Sequence, residues 1–173
     1  ADALYAIKKL IYDEKKMTPE RLLECLDLNF TGCEKERRML KAVPKYGNDD
    51  NGADAMSLWV NETICKIARQ QKNNTSLHSF LIVMINNGDS VLFGKTTGAS
   101  ADGRFKGEPV SNGNQPGAGN DMEGATALLN SMAKLNPALH AGVTNNVKFS
   151  RSSMQKDLEK IKKYPHAAKD KFG

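Results

Sequence analysis

The 173-residue chain has few cysteines and no long apolar run, and each shortage excludes a class of protein. Its three cysteines (Cys25, Cys33, Cys65) are odd in number and lack C-x-x-C spacing, which argues against a disulfide framework or a zinc site. The longest apolar stretch, 80–85, is far shorter than the roughly 20 residues of a membrane-spanning helix. We therefore expect a cytoplasmic protein with no membrane partner.

Positive charge is concentrated at the end of the chain. Residues 1–147 carry 17 basic and 17 acidic side chains, whereas residues 148–173 carry eight basic and three acidic ones. The whole excess of +5 therefore lies in the last 26 positions. This segment is rich in lysine and has only two aromatic residues, Tyr164 and Phe172, so a solvated helix face is favoured over an anionic partner, and nucleic acid is not expected.

Apolar residues at helical spacing predict four helices in the first 70 residues. Each has its own start or stop signal. They are a helix over 2–12, a helix capped by Thr18 and Pro19 with Leu22, Leu23 and Leu26 buried, a helix from a Thr31–Glu34 capping box to about Ala42, and a helix carrying Met56, Val60, Ile64 and Ile67 that ends near Gln70.

The second half has a different pattern. The β-branched run 80–85 predicts a strand buried on both faces, which 91–93 continues or pairs with. Seven glycines within 94–121 indicate a long loop, here called the glycine-rich loop, which points to either a function or disorder. A helix ending at Pro137, a half-buried strand over 143–149 and a last helix follow. Helices and strands together predict an α/β fold.

Two local motifs have plainer structural interpretations. Between Gly88 and Gly94 lie five residues, where a phosphate-binding loop has four. In the glycine-rich loop, Asp102-Gly103-Arg104 favours a tight turn with a structural ion pair over an anion site. The three histidines are far apart in sequence. We therefore predict no metal ligand and no catalytic residue from local motifs.

Several motifs in order resemble the glycyl radical enzyme family, the group that contains pyruvate formate-lyase. The resemblance covers about residues 1–150 and leaves 151–173 as a basic C-terminal helix and tail. The motifs are Pro44-Lys45-Tyr46-Gly47-Asn48-Asp49-Asp50 with Ala53-Asp54, Gly94-Lys95-Thr96-Thr97-Gly98, Asp102-Gly103-Arg104, Gly107-Glu108-Pro109, Asn130-Ser131 and Ala133-Lys134-Leu135.

The resemblance implies a fold and a chemistry. A helical N-terminal part would be followed by part of a ten-stranded α/β barrel that excludes water and oxygen. Family members hold a backbone glycyl radical, installed by a separate radical-SAM activating enzyme, which generates a thiyl radical on a cysteine. The implied activity is that of an anaerobic radical lyase, dehydratase or formate acetyltransferase, in the last case a transferase, acting on a small metabolite.

Neither radical-bearing motif of the family is in this sequence. Gly32-Cys33-Glu34 departs from the Gly-Cys-x-Glu-Pro-like cysteine loop, because Glu34 follows the cysteine directly and no proline comes after it. No Arg-Val-x-Gly-Tyr-like run is present. We therefore expect an internal piece of such an enzyme that binds no cofactor and has no turnover alone. The alternative is a free-standing, non-catalytic binding module whose basic last helix docks an acidic partner.

The resemblance also places the glycine-rich loop near a substrate pocket. Asn114, Gln115 and Pro116 occupy the place of a short Ser-Pro-like or Asn-Pro-like turn, and we expect them to help wall the pocket. Asn86, at the end of the predicted strand, is a second candidate for substrate binding. Arg104 is expected to brace the loop. An open edge at 80–85 is expected to favour self-association.

Overall fold

The computed structural model describes residues 1–84 and 88–144, in which helices are the main element. None of the helices in these two stretches combines the length and the apolar character of a membrane span. The predicted strand beyond residue 144, the last helix and Asn86 lie outside the described residues. The elements are α1 (Asp2–Ile7), a π-helical turn (Lys8–Asp13), α2 (Pro19–Asp27), α3 (Glu34–Ala42), α4 (Asn51–Gln70), a 3₁₀ turn (Gln71–Asn74), β1 (Ile82–Met84), α5 (Asp89–Thr96), α6 (Gly124–Ala133), a 3₁₀ turn (Pro137–Leu139) and β2 (His140–Val143).

Helix boundaries follow local signals in the first half of the chain. Helix α2 begins as predicted, since the Thr18 hydroxyl accepts a hydrogen bond from the Arg21 N–H at 3.2 Å and Pro19 occupies the first turn. Helix α3 ends at Ala42 as predicted, but the predicted Thr31–Glu34 capping box is wrong. The cap is Cys33, and the Glu34 carboxylate instead accepts the Gly32 N–H at 3.2 Å.

The main core lies between helices α1, α2 and α3. Leu22 is buried as predicted, but Leu23 is 61% exposed, and the buried neighbour on that face of α2 is Cys25. The prediction failed because leucine and cysteine are both apolar, and the helix face is decided by its partners rather than by residue type alone. The buried members of the core are Ala6, Leu10, Met17, Leu22, Cys25, Phe30, Cys33, Leu40, Val43 and Ala101.

Helix α4 buries a polar face. Its extent agrees with the prediction, yet Ile64 and Ile67 are half-exposed. A buried polar stripe is unusual for a helix packed on an apolar core, because each buried polar group needs a partner. It is typical of a helix that lines a cavity. The buried residues are Ala53, Asp54, Ser57, Asn61 and Cys65.

The described sheet has two parallel strands. Ile82 is paired with His140, and Met84 with Val143, across the crossover that parallel pairing requires. The prediction that 80–85 is a strand buried on both faces is wrong. Strand β1 has only three residues, and Val83 is half-exposed. The reason is that only one strand flanks β1 in the described part of the chain. The run 91–93 belongs to helix α5 rather than to the sheet, since so short an apolar run fits either structure.

Gly94 lies where helix α5 touches the glycine-rich loop, and it has no room for a side chain. An added Cβ would lie 2.4 Å from the Glu108 carbonyl oxygen and 2.8 Å from the Pro109 Cα. We predict that Gly94→Ala lowers the free energy of unfolding by about 2 kcal/mol, because backbone atoms have to move apart. Urea unfolding followed by circular dichroism measures the change.

Gly98→Ala is the matched control for this substitution. No atom lies within 4 Å of a Cβ added at Gly98, and its backbone angle is an ordinary one. Its free energy of unfolding should stay within about 0.5 kcal/mol of the wild type. Equal stabilities of the Gly94→Ala and Gly98→Ala variants would contradict the close approach of Gly94 to the Glu108 backbone.

Candidate functional site

A cavity of about 500 Å³ lies between the start of the chain, helix α4, the two strands and the glycine-rich loop. Asn114, Gln115 and Pro116 all line it, so the loop turn singled out from the sequence lies at this cavity. Apolar side chains form much of the remaining wall, which is typical of small-molecule sites. They include Val60, Ile64, Ile82, Met84, Val110 and Leu135.

Four residues that line the cavity carry buried polar atoms without a hydrogen-bond partner in the described part of the chain. Nearly all buried polar groups in folded proteins are paired, and an unpaired one costs about 1–3 kcal/mol. Four such groups around one cavity are therefore typical of a site that a polar ligand completes. They are Tyr46 Oη, Ser57 Oγ, Asn61 Nδ2 and Asn114 Oδ1.

Helix α4 supplies two of these groups. Ser57 and Asn61 are four residues apart and so lie on the same face of the helix, one turn from each other. Apolar spacing favours the stripe of α4 as its buried face, so it does not single out these two polar residues. The signal that finds them is a Ser-x-x-x-Asn pair at helical spacing beside Val60 and Ile64 of that stripe, which line the same cavity.

Tyr46 is held at the cavity by its backbone. Its N–H donates to the Asp2 carboxylate at 2.9 Å, which fixes the turn after α3 against the start of the chain. Burial raises the pKa of the Tyr46 phenol above its usual range, and the nearby Asp54 and Asp2 carboxylates add to the effect. The phenol therefore keeps its proton and can act as a hydrogen-bond donor.

Arg104 braces the glycine-rich loop, as expected. Its Nη1 donates to the Phe105 and Glu108 carbonyls at 3.0 and 2.8 Å, its Nη2 to the Gly98 carbonyl, and its Nε to the Ser100 hydroxyl at 3.1 Å. All three guanidinium nitrogens thus bind the loop itself. Although Arg104 lines the cavity, its role there is to fix the wall rather than to bind an anion.

The end of the glycine-rich loop is tied to the turn after α3 by one side chain. The Asn48 side-chain oxygen accepts the N–H groups of Met122 and Glu123 at 2.8 and 3.0 Å, and its amide donates to the Asn120 carbonyl at 2.5 Å. Asn120 in turn donates to Asp2 at 3.0 Å. These bonds fix the end of the glycine-rich loop to the turn that carries Tyr46. This part of the cavity wall is therefore held in place before any ligand binds.

His140 also lines the cavity, with a thiol next to it. The Cys65 Sγ lies 3.8 and 3.9 Å from the two ring nitrogens of His140. Burial raises the pKa of Cys65 and lowers that of His140, so the neutral forms of both groups are favoured. This pair is therefore not an activated thiolate nucleophile. Of the other histidines, His78 is exposed and His166 lies outside the described residues.

Two family models match most of the chain. The model described as Pyruvate formate lyase-like matches residues 1–94, and the one described as Glycine radical matches residues 110–171. Between them they cover both the helical half and the segment that contains the candidate turn 114–116. The matches confirm the family seen in the sequence motifs, and the second one extends to residue 171, beyond the limit near residue 150 that the motifs gave.

Curated relatives of known activity are similar to the chain over most of its length. It is 35% identical over 130 residues to isethionate sulfite-lyase of Oleidesulfovibrio alaskensis, which covers 75% of the chain and 16% of that protein. It is 33% identical over 165 residues to trans-4-hydroxy-L-proline dehydratase of Clostridioides difficile, covering 89% and 20%. The chain therefore spans about a fifth of the length of the relatives it matches.

Solved structures share the fold of this segment. The glycerol-bound form of the B12-independent glycerol dehydratase from Clostridium butyricum superposes with a TM-score of 0.89 at 31% identity, covering 99% of this chain and 22% of that one. Hydroxyproline dehydratase from Clostridioides difficile, with its substrate bound, gives a TM-score of 0.89 at 32% identity, covering 99% and 22%. The described helices and sheet thus have the arrangement of a segment of those enzymes.

Proposed function

The chain belongs to the pyruvate formate-lyase-like family of glycyl radical enzymes, and we propose that it supplies one wall of the substrate pocket in a radical dehydratase or lyase. Relatives with these two types of activity support the choice of reaction class. The proposed substrate is a small metabolite with hydroxyl groups. The proposed substrate contacts include Asn114, Gln115 and Pro116, and Asn86 stays a prediction because it lies outside the described residues.

The observation that carries the proposal is the set of unpartnered groups around the cavity. Tyr46 and the Asn61 amide offer donors, Asn114 offers an acceptor, and the Ser57 hydroxyl can do either. A hydroxyl group both donates and accepts, so it pairs with such a mixed set. The apolar remainder of the wall would exclude water from the bound molecule.

The family's radical chemistry needs a glycyl radical and a cysteine thiyl, and the described residues that line the cavity do not supply them. When present in the whole enzyme, the glycyl radical supplies hydrogen abstraction from substrate by way of a cysteine thiyl. Among the described residues that line the cavity, none is a cysteine. We therefore assign this chain substrate orientation and exclusion of water, and we propose that it has no turnover by itself.

Further parts of the proposal concern the whole enzyme. We propose that a radical-SAM activating enzyme is a partner and that the chain divides near residue 150. The basic helix and tail predicted for 151–173 lie outside the described residues. Self-association also stays a prediction, supported by the half-exposed side chains of Leu81 and Val83 beside the sheet.

Nuclear magnetic resonance on the ¹⁵N-labelled full chain tests the pocket. On titration with glycerol, trans-4-hydroxy-L-proline and isethionate, we expect the side-chain amide signals of Asn61 and Asn114 to move for at least one compound. The exposed Asn73 amide should stay unchanged. Asn114→Leu, which removes the buried acceptor but keeps the volume, should weaken binding about tenfold.

Asn73→Leu is the matched control, because it makes the same chemical change at an exposed site away from the cavity. Its affinity for the same compound should equal that of the wild type. Titrations in which the Asn61 and Asn114 signals stay fixed, or in which both variants bind equally well, would contradict the proposed pocket.

A further inference from the structure

Two cysteines and a glutamate converge in the main core, away from the cavity. The ligand atoms of Cys25, Cys33 and Glu36 all lie within 4.8 Å of one another. Cys25 and Cys33 are 0% and 1% exposed, while Glu36 lies at the edge of the core. We propose that these three side chains bind one divalent metal ion of the zinc class. This proposal is independent of the proposed function.

The spacing of the three atoms suits a single small cation. Zinc lies about 2.3 Å from thiolate sulfur and about 2.1 Å from carboxylate oxygen, so its tetrahedral ligands lie about 3.5 Å from one another. The three ligand atoms lie within 4.8 Å of one another, which is close to that spacing. Three protein ligands leave the fourth position for water.

The backbone holds the two cysteines together through a turn that spacing alone does not indicate. Cys25 lies in the last turn of α2, and Cys33 is the cap of α3. Between them the Phe30 N–H donates to the Cys25 carbonyl at 2.7 Å, and the Cys33 N–H donates to the Phe30 carbonyl at 3.0 Å. Phe30 adopts a left-handed backbone (φ 63°), which closes the turn. For this reason C-x-x-C spacing does not reveal the cluster, and no metal site is expected from the sequence.

Once deprotonated, the cluster is negatively charged and so suits a cation. Two thiolates and one carboxylate carry a charge of −3. The Arg21 guanidinium, whose Nε donates to the Glu36 carboxylate at 2.9 Å, also donates to Glu24 through Nη1 at 2.8 Å, so the Arg21–Glu24 pair leaves that total unchanged. A hydrogen bond from outside the ligand set also orients the carboxylate that coordinates the metal.

The thiols must lose protons when a metal binds. A thiolate ligand forms only when the thiol proton leaves, so metal affinity should rise with pH.

Cobalt binding to the reduced full chain tests the proposal. Under anaerobic conditions with a non-thiol reductant, we expect one equivalent of Co²⁺ to bind, with thiolate-to-cobalt charge-transfer absorption and the d–d bands of tetrahedral cobalt, and excess Zn²⁺ to displace it. Cys25→Ser and Cys33→Ser should abolish the charge-transfer band. Arg21→Gln, which leaves all three ligands in place, should weaken binding about tenfold.

Cys65→Ser is the matched control, because Cys65 is buried like the other two but lies outside the cluster. It should bind cobalt with the wild-type spectrum. Circular dichroism identifies variants that fail to fold. Native mass spectrometry of the wild type with Zn²⁺ measures the number of metal ions bound per chain and needs no substitution. The proposal is overturned by a folded, reduced wild type that takes up no metal, by a band that survives in Cys25→Ser, or by thiols that respond only to oxidants by forming a Cys25–Cys33 disulfide.

Discussion

Replacing Lys134 by methionine is expected to lower the free energy of unfolding by about 3 kcal/mol. The Lys134 Nζ lies 2.7 Å from Asp54 and 2.8 Å from Asp49, and it joins helix α6 to helix α4 and the turn before it. The Asp54 side chain is only 1% exposed. Methionine keeps most of the volume of lysine but leaves that carboxylate buried without a cation, and such unpaired charges are among the most destabilising changes in proteins.

The remaining partner of Asp54 does not compensate for the loss. The Ser131 hydroxyl donates to the Asp54 carboxylate at 3.0 Å, and one of the two carboxylate oxygens has no partner in the described part of the chain. The double variant Asp54→Asn, Lys134→Met removes the charge together with its partner. It should be more stable than Lys134→Met alone by about 1 kcal/mol or more.

Lys66→Met is the matched control for this prediction. Lys66 lies on an exposed face of helix α4, and its replacement should change stability by no more than about 0.5 kcal/mol. Urea unfolding of the four proteins measures the differences. A Lys134→Met variant as stable as Lys66→Met would show that the ion pair does not hold α6 against α4.

The pH dependence of stability is a second test of the interaction between Lys134 and the two aspartates. Burial by itself lowers the pKa of Lys134, but the hydrogen bonds to Asp49 and Asp54 outweigh it, and the pKa is raised. A lysine whose pKa is raised on folding contributes stability that is fully present below the unfolded value of about 10.4. That contribution is lost as the pH rises through the folded pKa. Lys134→Met should lack this alkaline component.

Gly47→Ala is expected to cost about 3 kcal/mol and to move the cavity wall. Gly47 has φ +98°, and an added Cβ would lie 2.3 Å from Pro116 Cγ. The left-handed backbone contributes about 1–2 kcal/mol of the cost, and the overlap contributes about as much again. Because Pro116 belongs to the candidate pocket turn, the side-chain amide signal of Asn114 should shift in the same variant.

Gly32→Ala separates the two causes. Gly32 also has a left-handed backbone (φ +72°), but no atom lies within 4 Å of its added Cβ. This control should lose only the backbone part, about 1–2 kcal/mol, and leave the Asn114 amide signal in place. If the two alanine variants were equally stable, with Asn114 unmoved in both, the contact between Gly47 and Pro116 would not position the wall.

Local signals in the sequence predicted most of the helices. A side-chain cap followed by proline at Thr18 and Pro19, and apolar spacing up to Gln70, depend on neighbours within one or two turns, and the structure confirms both. One local signal failed, because Cys33 rather than Thr31 is the cap of α3, and the other errors fall where distant partners decide the structure. The run 91–93 is helical, and 80–85 contributes a half-exposed strand, because burial on both faces needs neighbours that the described chain does not provide.

The candidate site was predicted in part. The turn at 114–116 came from the family resemblance, and the structure places it on the cavity. Ser57 and Asn61 were missed because a pattern cannot say which face of an amphipathic helix is covered. The Cys25–Cys33 pair was missed because a left-handed turn, not a recognisable spacing, brings the two thiols together.

Electron paramagnetic resonance tests the central claim most directly. The full 173-residue chain would be incubated anaerobically with a radical-SAM activating enzyme, S-adenosylmethionine and a reductant, beside the complete trans-4-hydroxy-L-proline dehydratase of Clostridioides difficile. We predict a glycyl doublet from the complete enzyme and none from the chain, for which we propose a pocket wall and whose given sequence has neither radical-bearing motif. A doublet from the chain alone would contradict it.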